Sequence, residues 1–403
     1  MTHEPTTLQV GDVVTVTVGP VAHGGHCVAR HEGRVLFVRH VLPDERVQVR
    51  VTEEGPKGRY LRAEVVEIVR PSGFRVDPPC RFAGSCGGCD FQHVAVEEQR
   101  RLKAQVVREQ LTRLGKVHWP DIVWSGEVEA LPDTDSGLPG LRWRTRVRFA
   151  VDAAGRAGLV RHRSHEVIPI DDCVIAHPLV DVEEITTTQW PGVQEVSVTV
   201  SPETDERSVQ VGPARGREAL ERKAAGRSWQ VSSGGFWQVH PGAADALVGA
   251  VMDMAQPLPG EHLVDLYGGV GLFAGVWGSR TGGRVDVVEG HWSAASDAEV
   301  NLADLPLAQV HPVAVERFVI DQAALRPDVV VLDPPRVGAK RAVLQPVAAW
   351  RPRAVVYVAC DPAALGRDVA YLAEFGYRLQ SLRAFDLFPM THHVESVALF
   401  VLS

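Results

Sequence analysis

The chain has 403 residues, 45% hydrophobic and 23% charged, an ordinary globular composition whose length suggests two or three domains. A formal net charge of −8 argues against a protein basic all over, yet leaves room for a local basic groove, because nucleic acid is held by a patch rather than an average. Six cysteines in so long a chain, three of them clustered, do not form a secreted disulfide framework and point instead to metal or catalysis.

Met1 to Val10 hold no apolar signal core, and no stretch is long and apolar enough to span a bilayer, so a cytoplasmic protein without a membrane partner is expected. From about residue 8, short Val-rich runs alternate: Val13–Val18, Val35–Val38 and Val47–Val51, punctuated by turns at Gly24-Gly25, Glu32-Gly33 and Pro43-Asp44. Strands at this spacing predict a small closed, OB-like barrel over residues 1–69. Lys57, Arg59, Tyr60 and Arg62 would let it track an RNA backbone and stack a base. A helix is predicted from Val96 to Leu114, with Leu102, Val106, Leu111 and Leu114 at helical spacing and Gly115 to end it. Mixed strands follow to about residue 230, closing a central α+β region of residues 70–230. In it, the run Leu141–Phe149, taken as one strand, would put Arg142, Arg144, Arg146 and Arg148 on one face. Four like charges there repel unless something anionic meets them; phosphate is the obvious candidate, and Arg161 with Arg163 adds a second basic patch.

Residues 231–403 alternate strands and helices. Leu263–Leu266, Val285–Val288, Val329–Leu332, Val355–Val358 and Val397–Val401 are the candidate strands of a doubly wound, mostly parallel sheet. The stretch Asp265–Phe273 follows the first of them and opens a helix, its glycines allowing a tight turn and close approach of a ligand. It also satisfies G-x-G-x-x-A through Gly269, Gly271 and Ala274, so a dinucleotide is a rival ligand. Glu289, about 20 residues on, suits the ribose hydroxyls of any adenosine cofactor. Asp333-Pro334-Pro335 holds a carboxylate at the ligand edge of the sheet, as enzymes that methylate flat nitrogenous rings often do.

Two thiol features carry chemistry. Cys80, Cys86 and Cys89 stand as C-x5-C-x2-C with glycines between them, and need a fourth ligand, for which Cys173 is the best candidate. Three ligands together and one distant favour iron–sulfur over zinc. Cys27 has no such partner. Cys360 ends a buried, β-branched run and precedes Asp361-Pro362, which puts a thiol at the carboxyl end of a strand, where open α/β sheets bind ligands.

Taken together and in order, these motifs resemble the TRAM-domain uracil-C5 RNA methyltransferases over nearly the full length. The first barrel is similar to a TRAM domain. Cys80, Cys86, Cys89 and Cys173 match that family's [4Fe–4S] ligands. Phe236–Val239 resembles F-x-Q-V, whose glutamine, here Gln238, contacts S-adenosylmethionine. Asp265–Phe273 matches the first cofactor loop and implies contacts from Tyr267, Gly269, Gly271 and Leu272. Ala359–Asp368 resembles S-C-N-P-x-T-x-x-R-D, which carries the nucleophile, and Phe388–Glu395 resembles F-P-x-T-x-H-V-E, which supplies the general base. His240, Gly268, Ala359 and Asp361 depart from the pattern, where Asn, Cys, Ser and Asn are usual.

The resemblance implies a class I methyltransferase domain with a Rossmann-like fold. Its chemistry is methylation of carbon 5 of a uridine, with Cys360 adding to carbon 6, Asp333 placing cofactor and ring, and Glu395 taking the carbon-5 proton. It implies a monomer acting on large-subunit ribosomal RNA, with the T-loop of transfer RNA as the alternative. The rivals are a methyltransferase acting on an exocyclic amine, and an iron–sulfur RNA-binding protein without activity.

Overall fold

A computed structural model describes residues 8–134, 137–212 and 219–403. Val13–Val21 (β1), Cys27–His31 (β2), Arg34–Arg39 (β3), Arg46–Glu54 (β4) and Leu61–Arg70 (β5) close into a barrel in the order β1-β2-β3-β5-β4. Only β3 and β5 run parallel. Alternation drives the closure: Val16, Val18, Leu36, Val38, Val47, Val49 and Val51 turn inward and are buried. Cys27 joins that core, its thiol donating to the Val41 carbonyl.

The helix Val96–Gly115 (α1) stands between two cores. Leu102 and Val106 enter the barrel core, whereas Ala104, Val107 and Leu111 enter the core of the large sheet. It runs one residue past the expected Leu114, and Lys116 rather than Gly115 takes the left-handed position that ends it.

Beyond a short strand, Glu129–Ala130 (β6), the central region builds a five-stranded antiparallel sheet. Its strands are Arg146–Val151 (β7), Ala157–Val160 (β8), Val167–Pro169 (β9), Glu195–Ser201 (β10) and Glu206–Val211 (β11), in the order β11-β10-β7-β8-β9, with the helix Val182–Thr187 (α2) packed on it. The expected strand through Leu141–Phe149 is corrected: β7 begins only at Arg146. Arg142 has a φ of 56°, and Arg144 makes a single bridge to Ala176, so the four arginines do not share one strand face. The alternation that suggested a strand comes from Trp143 and Thr145, which are buried although the backbone there is irregular. A hairpin of Ala219–Ala224 (β12) and Arg227–Ser232 (β13) follows, and Trp229 from it packs into the core of the large sheet.

The rest is the expected doubly wound domain. Its elements are Ala243–Ala255 (α3), Leu263–Leu266 (β14), Leu272–Thr281 (α4), Val285–Val288 (β15), Trp292–Asn301 (α5), Ala308–His311 (β16), Val315–Asp321 (α6), Val329–Leu332 (β17), Lys340–Trp350 (α7), Ala354–Ala359 (β18), Pro362–Glu374 (α8), Tyr377–Asp386 (β19) and Glu395–Leu402 (β20). The sheet order is β16-β15-β14-β17-β18-β20-β19-β6. β14 to β18 run parallel, and β20 inserts antiparallel between β18 and β19. Helices α3 and α4 cover one face, and α6, α7 and α8 with α1 the other. Strand order reverses at β14, flanked by β15 and β17, which makes a ligand crevice at the carboxyl ends of β14 and β17. Among the described residues no helix is long and apolar enough to cross a membrane.

Candidate active site

Strand register brings the two catalytic candidates together. β18 is buried along all six residues and pairs antiparallel with β20, Ala359 opposite Ser396. One step further along that register, Cys360 faces Glu395. Pro362 then starts α8, and Asp361 caps it, Oδ1 accepting from the Ala364 N–H at 2.7 Å. Asp333 follows β17 on the other side of β18, its N–H donating to the Leu266 carbonyl.

Acids crowd this point. Burial first, and then Glu395 and Asp333, push the Cys360 thiol up to about 12; Arg336 opposes them. Burial and the neighbouring Asp333 raise Glu395 well above the usual carboxylate range, while burial lifts Asp333 to about 7. Burial and like charge thus disfavour the Cys360 thiolate and the Glu395 carboxylate, and Arg336 favours both.

Cys360 opens into a pocket of about 120 Å³. Three parts of the chain wall it: His392 and His393 before β20, Phe91 and Lys103 around α1, and His23, Gly24 and Gly25 from the barrel turn between β1 and β2. His23 Nε2 reaches Asp361 Oδ2 at 2.8 Å. A Cβ on Gly25 would come within 2.7 Å of His392 Cβ, and Gly25 has a φ of 78°, so this close approach needs glycine. His392 Nδ1 in turn bonds Asp90 Oδ2 at 2.6 Å. Lys103, fully buried, is held by Asp386 Oδ1 at 2.5 Å and the Phe388 carbonyl. Of these wall residues, the sequence marks the Gly24-Gly25 turn and the motif that holds His392 and His393; nothing local marks His23 or Lys103.

At the crevice, Gly269 and Gly271 have φ of 54° and 88° and form the turn into α4, which Leu272 begins. The Gly269 N–H donates to Glu289 Oε2 at 3.0 Å, so the carboxylate from the end of β15 meets the glycine turn. Tyr267 and Gln238 are half-buried. Asp265, in β14, gives one oxygen to the Ala274 N–H; its Oδ1 is buried without a partner, and burial lifts the carboxyl to about 8. An orphaned buried acceptor under a glycine turn suits a ligand that brings its own donor.

Cys80, Cys86, Cys89 and Cys173 line a single separate pocket, joined by Arg144 and Gln92. The Gly88 N–H donates to Cys86 Sγ, and the Cys80 N–H to Gln92. Among the described residues no group of His, Cys, Asp or Glu is compact enough to hold one metal ion.

The comparisons with known proteins agree with this architecture. The TRAM domain model matches residues 7–66, and the model described as tRNA (Uracil-5-)-methyltransferase matches residues 319–402, which contain Asp333, Cys360 and Glu395. An uncharacterized RNA methyltransferase of Streptomyces coelicolor is 46% identical, over 98% of this chain and 94% of its own. The chain belongs to the uracil-5 RNA methyltransferases. Another relative in this family, an uncharacterized RNA methyltransferase of Bifidobacterium longum, is 36% identical over 96% of each chain. The fold is shared with the Pyrococcus abyssi tRNA (uracil-54, C5)-methyltransferase, solved in complex with S-adenosyl-L-homocysteine, at a TM-score of 0.70 and 20% identity over 96% of this chain and 100% of that one.

In this methyltransferase the arginines expected to meet phosphate are mostly engaged. Arg142 forks onto Asp172, Arg148 onto Glu195 and Arg161 onto Glu166, and Arg163 reaches Glu53 of the barrel. Arg146 donates to the Gly235 carbonyl, and Arg144 turns to the cysteine pocket. Lys57 and Arg59 are exposed on the barrel.

Proposed function

We propose that the protein methylates carbon 5 of a uridine in structured RNA, with Cys360 as nucleophile and Glu395 as general base. The observation that carries this is the β18–β20 register, which sets a thiol opposite a buried acid at the mouth of a pocket next to the ligand crevice. A methyltransferase acting on an exocyclic amine needs neither group.

Carbon 5 of uracil is a poor nucleophile until carbon 6 carries a covalent partner. Cys360 gives its proton to solvent as its sulfur bonds carbon 6, the carbon 5–carbon 6 double bond opens, and the ring becomes an enolate with electron density on carbon 5. S-Adenosylmethionine bound in the crevice supplies an electrophilic methyl group. Glu395, once its own proton has passed to solvent, takes the carbon-5 proton; the electrons left behind restore the ring double bond and expel the Cys360 sulfur as thiolate. Arg336 offsets negative charge as the thiolate forms, and the amino end of α8 points the same way. Asp333 places ring and cofactor. Gln238, Tyr267, Gly269, Gly271 and Leu272 would hold the cofactor, with Glu289 on its ribose and Asp265 Oδ1 on its amine. The target base must leave its stack to enter a pocket of this size, so a loop or single-stranded element is the substrate.

Residues 1–69 serve as an RNA-binding barrel, 70–230 as the cluster-bearing region and 231–403 as the catalytic domain. Cys80, Cys86, Cys89 and Cys173 would hold a [4Fe–4S] cluster, because four thiols lining one pocket are the donor set that such a cluster takes. Arg148, Arg161 and Arg163 contact RNA only where phosphate replaces their carboxylates.

Cys360→Ala should abolish methyl transfer and the trapped adduct with 5-fluorouridine RNA; retained activity would overturn the scheme. Large-subunit ribosomal RNA is the first substrate to test. Transfer RNA is the second reading, favoured by the wording of the matched family model. Mapping 5-methyluridine in RNA from a deletion strain against its parent decides between them.

A further inference from the structure

A second groove opens beside the Cys360 pocket and shares His23, Arg336 and Asp361 with it. Its outer lip carries Lys340 and Arg341 from the start of α7, and Arg367 from α8. All four cations are exposed. The fold explains their convergence. Asp368, buried on α8, accepts from the Ala339 and Lys340 N–H groups and from the Tyr357 hydroxyl, which pins the start of α7 against α8. Gly338 passes so close to Asp368 that a Cβ would meet Oδ2 at 2.7 Å.

The local carboxylates are already committed. Asp368 is spent on that clamp, and Asp361 on His23 and the α8 cap. Arg341 has Glu374, and lies over the Phe375 ring at 5.0 Å. Among the described residues, Arg336 has only His393 as a side-chain hydrogen-bond partner, and Lys340 and Arg367 have no carboxylate at ion-pair distance. Asp361 and Asp368 also line the groove, but their oxygens are turned to the fold's own donors, so Arg336, Lys340 and Arg367 keep no ion-pair partner among the described residues, and their groove continues directly into the Cys360 pocket. The arginines of the central region are the reverse case, each exposed pair holding its own counter-charge.

We propose that this groove carries the RNA backbone next to the flipped uridine, with Lys340 and Arg367 on successive phosphates and Arg336 at the pocket mouth. The identity of the polymer rests on the methylation reading above; the phosphate chemistry of the groove does not. The backbone thus enters along the α7–α8 lip and the barrel turn, and the central sheet is peripheral to the target.

The test follows a fluorescently labelled hairpin RNA with uridines in its loop, bound to the full-length protein across a salt series. Lys340→Gln and Arg367→Gln are compared with the parent, singly and together. Each lost phosphate contact lowers the slope of log affinity against log salt by about 0.7 to 1. The double variant should lose about twice that, and bind about tenfold or more weakly at moderate salt, with melting temperature and S-adenosylmethionine affinity unchanged. A slope unaffected by either substitution overturns the groove. The two readings fail separately. A parent protein that methylates the hairpin while its variants keep the full slope defeats the groove alone. A parent that binds with a groove-dependent slope yet methylates no uridine in any RNA defeats the methylation reading alone.

Discussion

His23 Nε2 and Asp361 Oδ2 lie 2.8 Å apart, joining the turn between the first two barrel strands to the residue that follows Cys360. The barrel is therefore a wall of the pocket that Cys360 opens into. Asp361, where the resemblance expects Asn, serves two partners at once, the His23 ring and the first turn of α8. These hold its carboxyl below the ordinary range against the opposing effect of burial.

The pair is partly exposed, 40% at His23 and 20% at Asp361, so its coupling should be about 0.2–1 kcal/mol. Asp361→Asn keeps a cap acceptor and loses only the ionic partner. In a double-mutant cycle read by denaturant unfolding, His23→Ala and Asp361→Asn should cost less together than the sum of the two alone. Simple additivity would show that the contact is not made in solution.

Glu395→Gln should slow turnover by about 10²–10⁴-fold, and should leave enzyme and RNA covalently joined after the methyl group has moved. The readout is a protein–RNA band that survives denaturing electrophoresis. Near-normal turnover without such a band would remove Glu395 from the proton step.

Burial holds Asp333 neutral in the folded protein up to about 7, whereas an unfolded chain ionises an aspartate near 4. Between those values the folded state binds the extra proton, so this group's contribution to stability is complete below about 4 and falls as pH rises to about 7. Asp333→Asn removes the titration. The variant should gain on the parent in unfolding free energy steadily across that window and stay level below it. A difference that shrinks with rising pH would contradict the burial.

Cys173→Ser should abolish bound iron and acid-labile sulfide in anaerobically purified protein, against about four irons per chain in the parent. Cys27→Ser, at a thiol buried in the barrel core and outside the four-cysteine pocket, should leave the iron content intact. A parent free of iron under those conditions would rule out the cluster.

What the sequence exposes here is whatever local pattern alone decides. Apolar runs gave β17 and β18, Val- and Leu-rich runs interrupted by one Asp each gave β14 and β15, and a Pro after β18 located Cys360 at a strand end. Glycine spacing located the turn into α4. The Arg142–Arg148 run misled because side-chain alternation does not report backbone regularity. Trp143 and Thr145 are buried through tertiary packing, and the carboxylates that answer the arginines come from elsewhere, Asp172 and Glu195 among them. The pocket wall was illegible for a related reason. His23 and Asp361 are 338 residues apart, and Lys103 meets Asp386 across 283. Pairings at that distance leave no periodic trace.

The short strand β6 joins the edge of the large sheet, Glu129 pairing with Phe385 and its carboxylate taking the Arg383 guanidinium, 254 residues later. During synthesis this segment leaves the ribosome long before its partner exists, and at ordinary elongation rates it waits for tens of seconds. The catalytic half cannot then mature as an independent late-folding module; its last edge is closed by a segment made early and kept in reserve. Splitting the gene between the two halves would deprive the enzyme of that edge.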